Sequence, residues 1–403
     1  MNDYFEKLQR KVEHYQAKYN KKPRVVALKL AWWNLLCAMK TQEAFNRLKE
    51  KDTSINIKTE NNKINICFQL FGGLGDLIIA RNYIYHLINF FNLPNITIYI
   101  TGKTYILNAL FLSEFKIIER YERHEDFDIF ISMVRFPEIK YVNMNKKYTP
   151  AFYKFLEQCQ NFRKINSKLF DACPQNDGIA NQICEILNKK RWQQPDILGL
   201  LAIDDLNCKP LNTYKNKDEI LEKFGLNKKR YITINRGCEG SSGKFECTKM
   251  WPLINYNEYV QKLKEKMPDY IFVQVGDSDK KCKKIKNIDV NLLGKTSLEE
   301  IKIVLQNAEL HIDNEGGLVH MRHFLGAKPS IVLFGPTSLD FYGYPENLNI
   351  KNSSCNHSCE WLNNQWLNYC IKNHSVSSVC MNELTVSYVF DKTLEFLKEN
   401  SYV

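Results

Sequence analysis

The 403-residue chain has no uninterrupted apolar run long enough to cross a bilayer. Its most lipophilic stretch runs from Val25 to Met39 with Trp32 and Trp33, but Lys29 and Asn34 break it. Such a stretch suits a helix docked on its own protein, or one lying flat at a membrane interface. The first residues, Met1-Asn2-Asp3-Tyr4-Phe5-Glu6-Lys7, lack the basic-then-apolar layout of a secretory leader, so no signal peptide is expected. No short internal repeat and no low-complexity tract interrupts the chain. Thirteen cysteines without a leader argue against a disulfide framework and for reduced thiols in the cytoplasm. Acidic residues are in deficit, 45 against 56 Lys and Arg, for a formal charge of +11. A cationic surface favours phosphates, nucleic acid or an anionic membrane face; a lysine-rich solvated surface accounts for it equally well.

What is present is an ordinary soluble composition, 44% hydrophobic and 25% charged, in a chain too long for one α/β core. Residues 1–60 carry helically spaced apolar positions among Lys, Glu, Gln and Asn, and read as a helical extension. Period-2 and continuous apolar runs then begin. Strands are predicted at residues 64–70, 96–100 and 127–131, with a helix from Leu77 to about Phe91. From Pro137 to Asn216 the pattern weakens, punctuated by Pro150, Pro174, Pro195 and Pro210, and its later part reads as a joint. A second alternating series has strands at 231–235, 270–275, 310–313 and 330–334 and helices at 256–267, 298–308 and 318–325. Two such series give two doubly wound α/β domains, 61–215 and 216–350. An insert at 351–385 and a terminal helix at 386–399, within a final segment 386–403, complete the chain.

Ligands of open parallel sheets bind beyond the carboxyl ends of the strands, where three turns carry chemistry. The first is Gly72-Gly73-Leu74-Gly75-Asp76. Its glycines admit close backbone approach at a helix N-terminus, although the spacing is not the full dinucleotide fingerprint. Asp76 is suited either to accept the proton of an attacking hydroxyl or to cap the helix. The second is Asn235-Arg236-Gly237 followed by Lys249-Met250-Trp251-Pro252, suited to a diphosphate or to an ordinary basic loop. The third is Asp313-Asn314-Glu315-Gly316-Gly317-Leu318-Val319-His320, a further anion turn, with His320 either a ligand group or a satisfied core histidine.

In order, Gly72–Asp76, Gly237 to Pro252, Glu315–His320 and Val332-Leu333-Phe334-Gly335-Pro336-Thr337 resemble the heptosyltransferase-like glycosyltransferases of family nine over about residues 60–350. The resemblance implies a GT-B fold, two Rossmann-like domains facing a cleft. It also implies inverting transfer of a sugar, typically heptose from ADP-heptose, with no catalytic metal, onto a bacterial surface glycan. By that resemblance Asp76 is the general base of an N-terminal acceptor domain. The donor-binding set comprises Gly73, Gly75, Arg236, Gly237, Lys249, Glu315, Gly316, Gly317 and His320. Family members usually place Ser or Thr after the acidic residue; Gly316 stands there in this chain, so one hydroxyl donor to the phosphates is missing.

Cys355, Cys359, Cys370 and Cys380 cluster in a loop-rich segment and suit a tetrahedral zinc or iron site, with His357 and His374 as substitutes, or stand as four free thiols. Their placement is similar to the finger of bacterial autotransporter heptosyltransferases, which implies iron and a protein acceptor, and hence a protein O-heptosyltransferase as the alternative activity. A glycan or glycolipid acceptor is the first expectation. Peripheral contact with the inner membrane and self-association stay open. A nucleic-acid-binding finger is disfavoured, because Lys372 is the one Lys or Arg between Cys355 and Cys380.

Overall fold

A computed structural model describes residues 63–400 apart from 112–114, 120, 122, 134, 167–180, 182, 204–207, 238–245, 279–281, 353–354, 356–357 and 361–365. The helical extension expected at 1–60, with its tryptophan pair, lies outside the described residues. The chain divides into two units between Lys209 and Pro210. The sequence places that boundary at 215–216; the difference has a local cause. Leu211 N–H donates to Phe324 O (2.7 Å) and Lys302 Nζ to Asn212 O (2.7 Å), which ties residues 210–215 to the second unit.

The first unit is built on β1 (Ile64–Leu70), α1 (Leu74–Phe91), β2 (Ile96–Thr101), α2 (Thr104–Phe111), β3 (Lys116–Ile118), β4 (Ile129–Met133), β5 (Pro137–Val142) and α3 (Pro150–Ile165). The sheet order is β3-β2-β1-β4-β5. β1 pairs in parallel with both β2 and β4, whereas β5 runs antiparallel to β4 at the edge. Both faces of β1 are covered, so its sequence is a near-continuous apolar run rather than an alternating one. α1 packs Leu77, Ile78, Ile84, Leu87 and Phe91 inward and stops at Asn92 in the left-handed conformation (φ 45°). α3 starts with Thr149, whose hydroxyl accepts from Phe152 N–H, and Pro150 in the first turn.

The second unit comprises α4 (Lys217–Lys223), β6 (Tyr231–Ile234), α5 (Leu253–Lys266), β7 (Ile271–Gln274), β8 (Val290–Asn291), α6 (Leu298–Asn307), β9 (Leu310–Asn314), α7 (Gly317–Phe324), β10 (Ser330–Phe334), α8 (Leu339–Tyr342), β11 (Leu348–Lys351), α9 (Val379–Asn382) and α10 (Val386–Glu399). Its sheet is parallel throughout, in the order β11-β10-β9-β6-β7-β8. Counted within the unit, that is the 3-2-1-4-5-6 order of a Rossmann sheet, with the chain reversing direction between β6 and β9. Ile232, Ile234, Leu310, Ile312, Ile331 and Leu333 form the sheet side of the core. Trp251, Tyr256 and Tyr259 pack against it, and α10 joins the same core through Val386, Val389 and Leu397. The terminal helix is therefore part of this unit's core. Among the described residues no helix is long and apolar enough to cross a membrane.

Candidate active site

In the first unit the strand order reverses between β1 and β4, so the segments leaving these two strands lie side by side. The segment after β1 enters α1, and Asp76 occupies the third position of that helix. Its Oδ2 accepts from Gly73 N–H at 2.9 Å, closing the helix start. Gly72 precedes this at φ +111°, and a Cβ there would overlap the Asp76 carboxylate. The segment after β4 supplies Arg135, which forms an ion pair with Asp76 Oδ1. Arg191, at the head of a 3-10 turn (Arg191–Asp196), donates from Nη2 to the same oxygen at 2.6 Å.

Asp76 thus does both things its position allows: it caps α1 and keeps a carboxylate at the strand end, 22% exposed. Burial pushes its pKa up, but Arg135, Arg191 and the Gly73 amide outweigh burial and hold the carboxyl far below the usual range. The group is firmly ionised and rigidly aimed. Gly73 N–H is engaged by Asp76. Arg191 is 2% exposed, and its Nη1 has no hydrogen-bond partner among the described residues.

In the second unit the reversal lies between β6 and β9 and gathers the other two turns. Asn235, at the end of β6, holds its own turn, with Oδ1 accepting from Gly237 N–H (2.8 Å). Its Nδ2 donates to Asp313 Oδ1 (2.9 Å) on β9. Asp313 Oδ2 in turn lies 3.2 Å from His311 Nε2, and His311 Nδ1 2.9 Å from Thr233 Oγ1. Burial raises the Asp313 pKa and lowers that of His311, each toward its neutral form. A Cβ at Gly237 would come within 2.8 Å of Cys282 Sγ, so the turn is packed from below.

Arg236 is 2% exposed; its Nε donates to Trp251 O (3.1 Å) and its Nη2 to Glu246 Oε2 (2.7 Å). Trp251 is fully buried and anchors the Lys249–Pro252 segment. Its N–H donates to Asn314 Oδ1 (3.1 Å), and its indole Nε1–H to Leu384 O (2.8 Å). That anchor sets Lys249 against Glu315 of β9's exit turn, where the two form an ion pair. Gly316 caps α7, which starts at Gly317, and His320 lies one turn in, 5% exposed. Residues 236, 249 and 315 to 317 therefore converge at one strand-end turn set. Three buried polar atoms there, Arg236 Nη1, Asn314 Nδ2 and Thr337 Oγ1, have no hydrogen-bond partner among the described residues. Buried capacity of this kind is normally taken up by a ligand or an ordered water.

The sequence singled out Asp76, Arg236, Lys249 and Glu315, and the structure adds the residues that hold them: Arg135 and Arg191 on Asp76, and Trp251, itself bonded to Asn314, beside Arg236 and Lys249. A signal for Arg191 was present in Arg191-Trp192, two large side chains inside a proline-punctuated segment otherwise read as a joint.

The four cysteines meet less completely than their spacing implies. Cys355 and Cys380 are hydrogen-bonded to each other, which lowers the Cys355 pKa and raises that of Cys380. Cys359, pushed up to about 12 by burial, is within electrostatic reach of Cys370 and Cys355. Among the described residues, however, no group of three or more His, Cys, Asp or Glu is arranged to hold a metal ion. His357 lies outside the described residues, and His374 Nδ1 bonds the Tyr369 hydroxyl. Four thiols have the chemistry of a zinc or iron site, but as placed they form one hydrogen-bonded pair, Cys355 and Cys380, and no tetrahedral set.

Two structures of one bacterial protein are among the solved structures that share this fold. One is the bacterial iron-containing dodecameric glycosyltransferase TibC from enterotoxigenic E. coli H10407, 12% identical over 87% of this chain and 84% of that one, with a TM-score of 0.54. The other is the dodecameric iron-containing heptosyltransferase TibC in complex with ADP-D-β-D-heptose, 13% identical over 85% and 78%, TM-score 0.51. E. coli ADP-heptose lps heptosyltransferase II matches at 14% identity over 84% and 100%, with a TM-score of 0.45. No curated protein matches the chain by sequence. The two Rossmann-like sheets with charged turns at their strand ends have the GT-B fold of these glycosyltransferases. More narrowly, residues 208–365 match Glycosyltransferase family 9 (heptosyltransferase), a match that falls almost wholly within the second unit.

Proposed function

We propose that the protein transfers a sugar, heptose in the first instance, from ADP-heptose to a bacterial surface glycan with inversion at the anomeric carbon. The observation that carries this reading is the convergence of Arg236, Lys249, Glu315 and the N-terminus of α7 at the reversal point of the second sheet. Cations and a helix N-terminus stabilise the charge that develops on a departing diphosphate. Arg236 Nη1 and Asn314 Nδ2, buried and without partners among the described residues, are hydrogen-bond donors available to it. Lys249 is released to the phosphates as they displace Glu315 from it.

Asp76 takes the proton of the acceptor hydroxyl. The two arginines on it weaken its basicity while fixing its orientation, a fair exchange where the hydroxyl loses its proton late, as its bond to the sugar forms. Asp76→Asn keeps the shape and removes the charge. Transfer from ADP-heptose should fall by about 10²–10⁴-fold, with ADP affinity by calorimetry nearly unchanged. Undiminished turnover would remove Asp76 from the reaction.

The cysteine segment after β11 favours a second reading, in which the acceptor is a protein and a zinc or iron ion on Cys355, Cys359, Cys370 and Cys380 orders that segment. Supporting it are the thiol chemistry and the burial of Cys355 and Cys380 in the core of the unit. Such an ion would be structural, and no step of transfer passes through it. Labelled ADP-heptose offered with a lipid-A core or with an autotransporter passenger separates the two acceptors.

A further inference from the structure

His320 and His323 sit three residues apart on α7 and therefore on one face of it. Between them lies Tyr344, fully buried in the turn that joins α8 to β11. His320 Nδ1 is 2.7 Å from the Tyr344 hydroxyl, with the rings edge-on at 5.5 Å and 79°. His323 stacks on the tyrosine ring at 3.8 Å and 18°, and its own Nδ1 lies 2.7 Å from Glu346 Oε1. The turn is fastened as well, since Tyr344 O accepts from Asn349 Nδ2 (2.8 Å) and Asn347 N–H (3.2 Å). The tyrosine is clamped by ring and backbone together, so its hydroxyl is a fixed point against which the His320 imidazole is set.

A neutral imidazole has one N–H, and whichever nitrogen lacks it is an acceptor. A phenol is a far stronger acid than a neutral imidazole N–H, so the stable bond between them has the tyrosine O–H donating to Nδ1. The imidazole proton is then on Nε2, across the ring. We infer that Tyr344 is a positioning residue that fixes His320 as the Nε2–H tautomer, so that it offers a donor rather than a lone pair to an anionic oxygen. This rests on the reading of His320 as part of the diphosphate site. It adds that recognition at His320 depends on a hydroxyl 24 residues away in the chain.

Tyr344→Phe removes the hydroxyl and keeps the ring that His323 stacks on. One neutral hydrogen bond corresponds to about a three- to tenfold change in affinity. With the full chain and ADP as the probe, calorimetry should give a dissociation constant about three- to tenfold higher for Tyr344→Phe. His320→Ala should weaken ADP at least as much, and the double variant should be no worse than His320→Ala alone. In protein labelled with 15N-histidine, the His320 side chain should show its proton on Nε2, and Tyr344→Phe should shift it toward Nδ1–H. Additive losses in the double variant, or an unchanged tautomer and affinity in Tyr344→Phe, overturn the inference. So does wild-type protein with the His320 proton on Nδ1, a measurement that needs no variant. His320→Ala binding ADP as tightly as wild type would instead remove His320 from the donor site, and the role of Tyr344 with it.

Discussion

Arg191→Met would remove one of the two guanidinium groups that hold Asp76, with a side chain of similar length and apolar character left in its place. The lost contact is a charge-assisted hydrogen bond of 2.6 Å between an arginine 2% exposed and a carboxylate 22% exposed. Bonds to charged groups contribute about 1.5–3 kcal/mol, and breaking a fully buried pair costs about 3–5 kcal/mol. Asp76 is only partly buried and keeps Arg135, so the lower range applies: about 2 kcal/mol at pH 7. The pH dependence follows from the direction of the pKa. Burial raises it, the two arginines and the Gly73 amide more than reverse that, and the folded-state pKa lies below the unfolded one. A carboxylate of this kind stabilises the fold fully above its unfolded pKa, about 3.9. That contribution is lost as pH falls from there through the folded value, at up to about 1.4 kcal/mol per pH unit. The variant has less to lose. The unfolded state is common to both proteins, so the stability gap between wild type and Arg191→Met should be equal at pH 7 and pH 5 and should narrow only as pH falls through the variant's folded-state pKa, which lies between that of wild type and the unfolded value. Urea unfolding at pH 7, 5 and 3 reads it directly. A gap that is absent at pH 7, or that changes between pH 7 and pH 5, would refute the account of how Asp76 is held.

Two further outcomes are expected. Lys249→Met should weaken ADP binding about 10–100-fold by calorimetry, since it deletes a cation and leaves Glu315 buried and uncompensated beside the phosphates; equal affinity would place the diphosphate elsewhere. Elemental analysis of the purified protein should find about one zinc or iron per chain, with chelation lowering Tm, whereas a stable metal-free protein would leave the cysteines as paired thiols.

Much of the architecture was legible because buried parallel strands are spelled as short apolar runs ending in glycine turns. β1, β2, β6, β9 and β10 all read this way, and the helices after β1 and β9 follow directly from the turns at 72–76 and 315–317. β5 was hidden for the converse reason. Pro137–Val142 is a half-buried edge strand with Glu138 and Lys140 in it, and a pattern covered on one side only partly looks like loop. Residues 137–216 read as mixed helix and loop, and α3 is not delimited within them, because Pro150 serves equally as punctuation and as the first residue of a helix capped by Thr149. The reach of the second unit to α10 could not be read locally either. What binds that helix is Val386, Val389 and Leu397 packing on a core assembled from strands spread over the whole unit, from β6 to β11.

The sequence by itself determined the two α/β series, the turns where chemistry could sit, and the residue types within them, because local backbone preference and apolar periodicity are properties of neighbouring residues. Only the tertiary structure decided which charges meet. Arg191 reaches Asp76 across 115 residues, and Lys249 reaches Glu315 through a tryptophan anchored on Asn314. Strand order makes these pairs, and strand order is fixed by how whole sheets bury their faces, which no window along the chain contains.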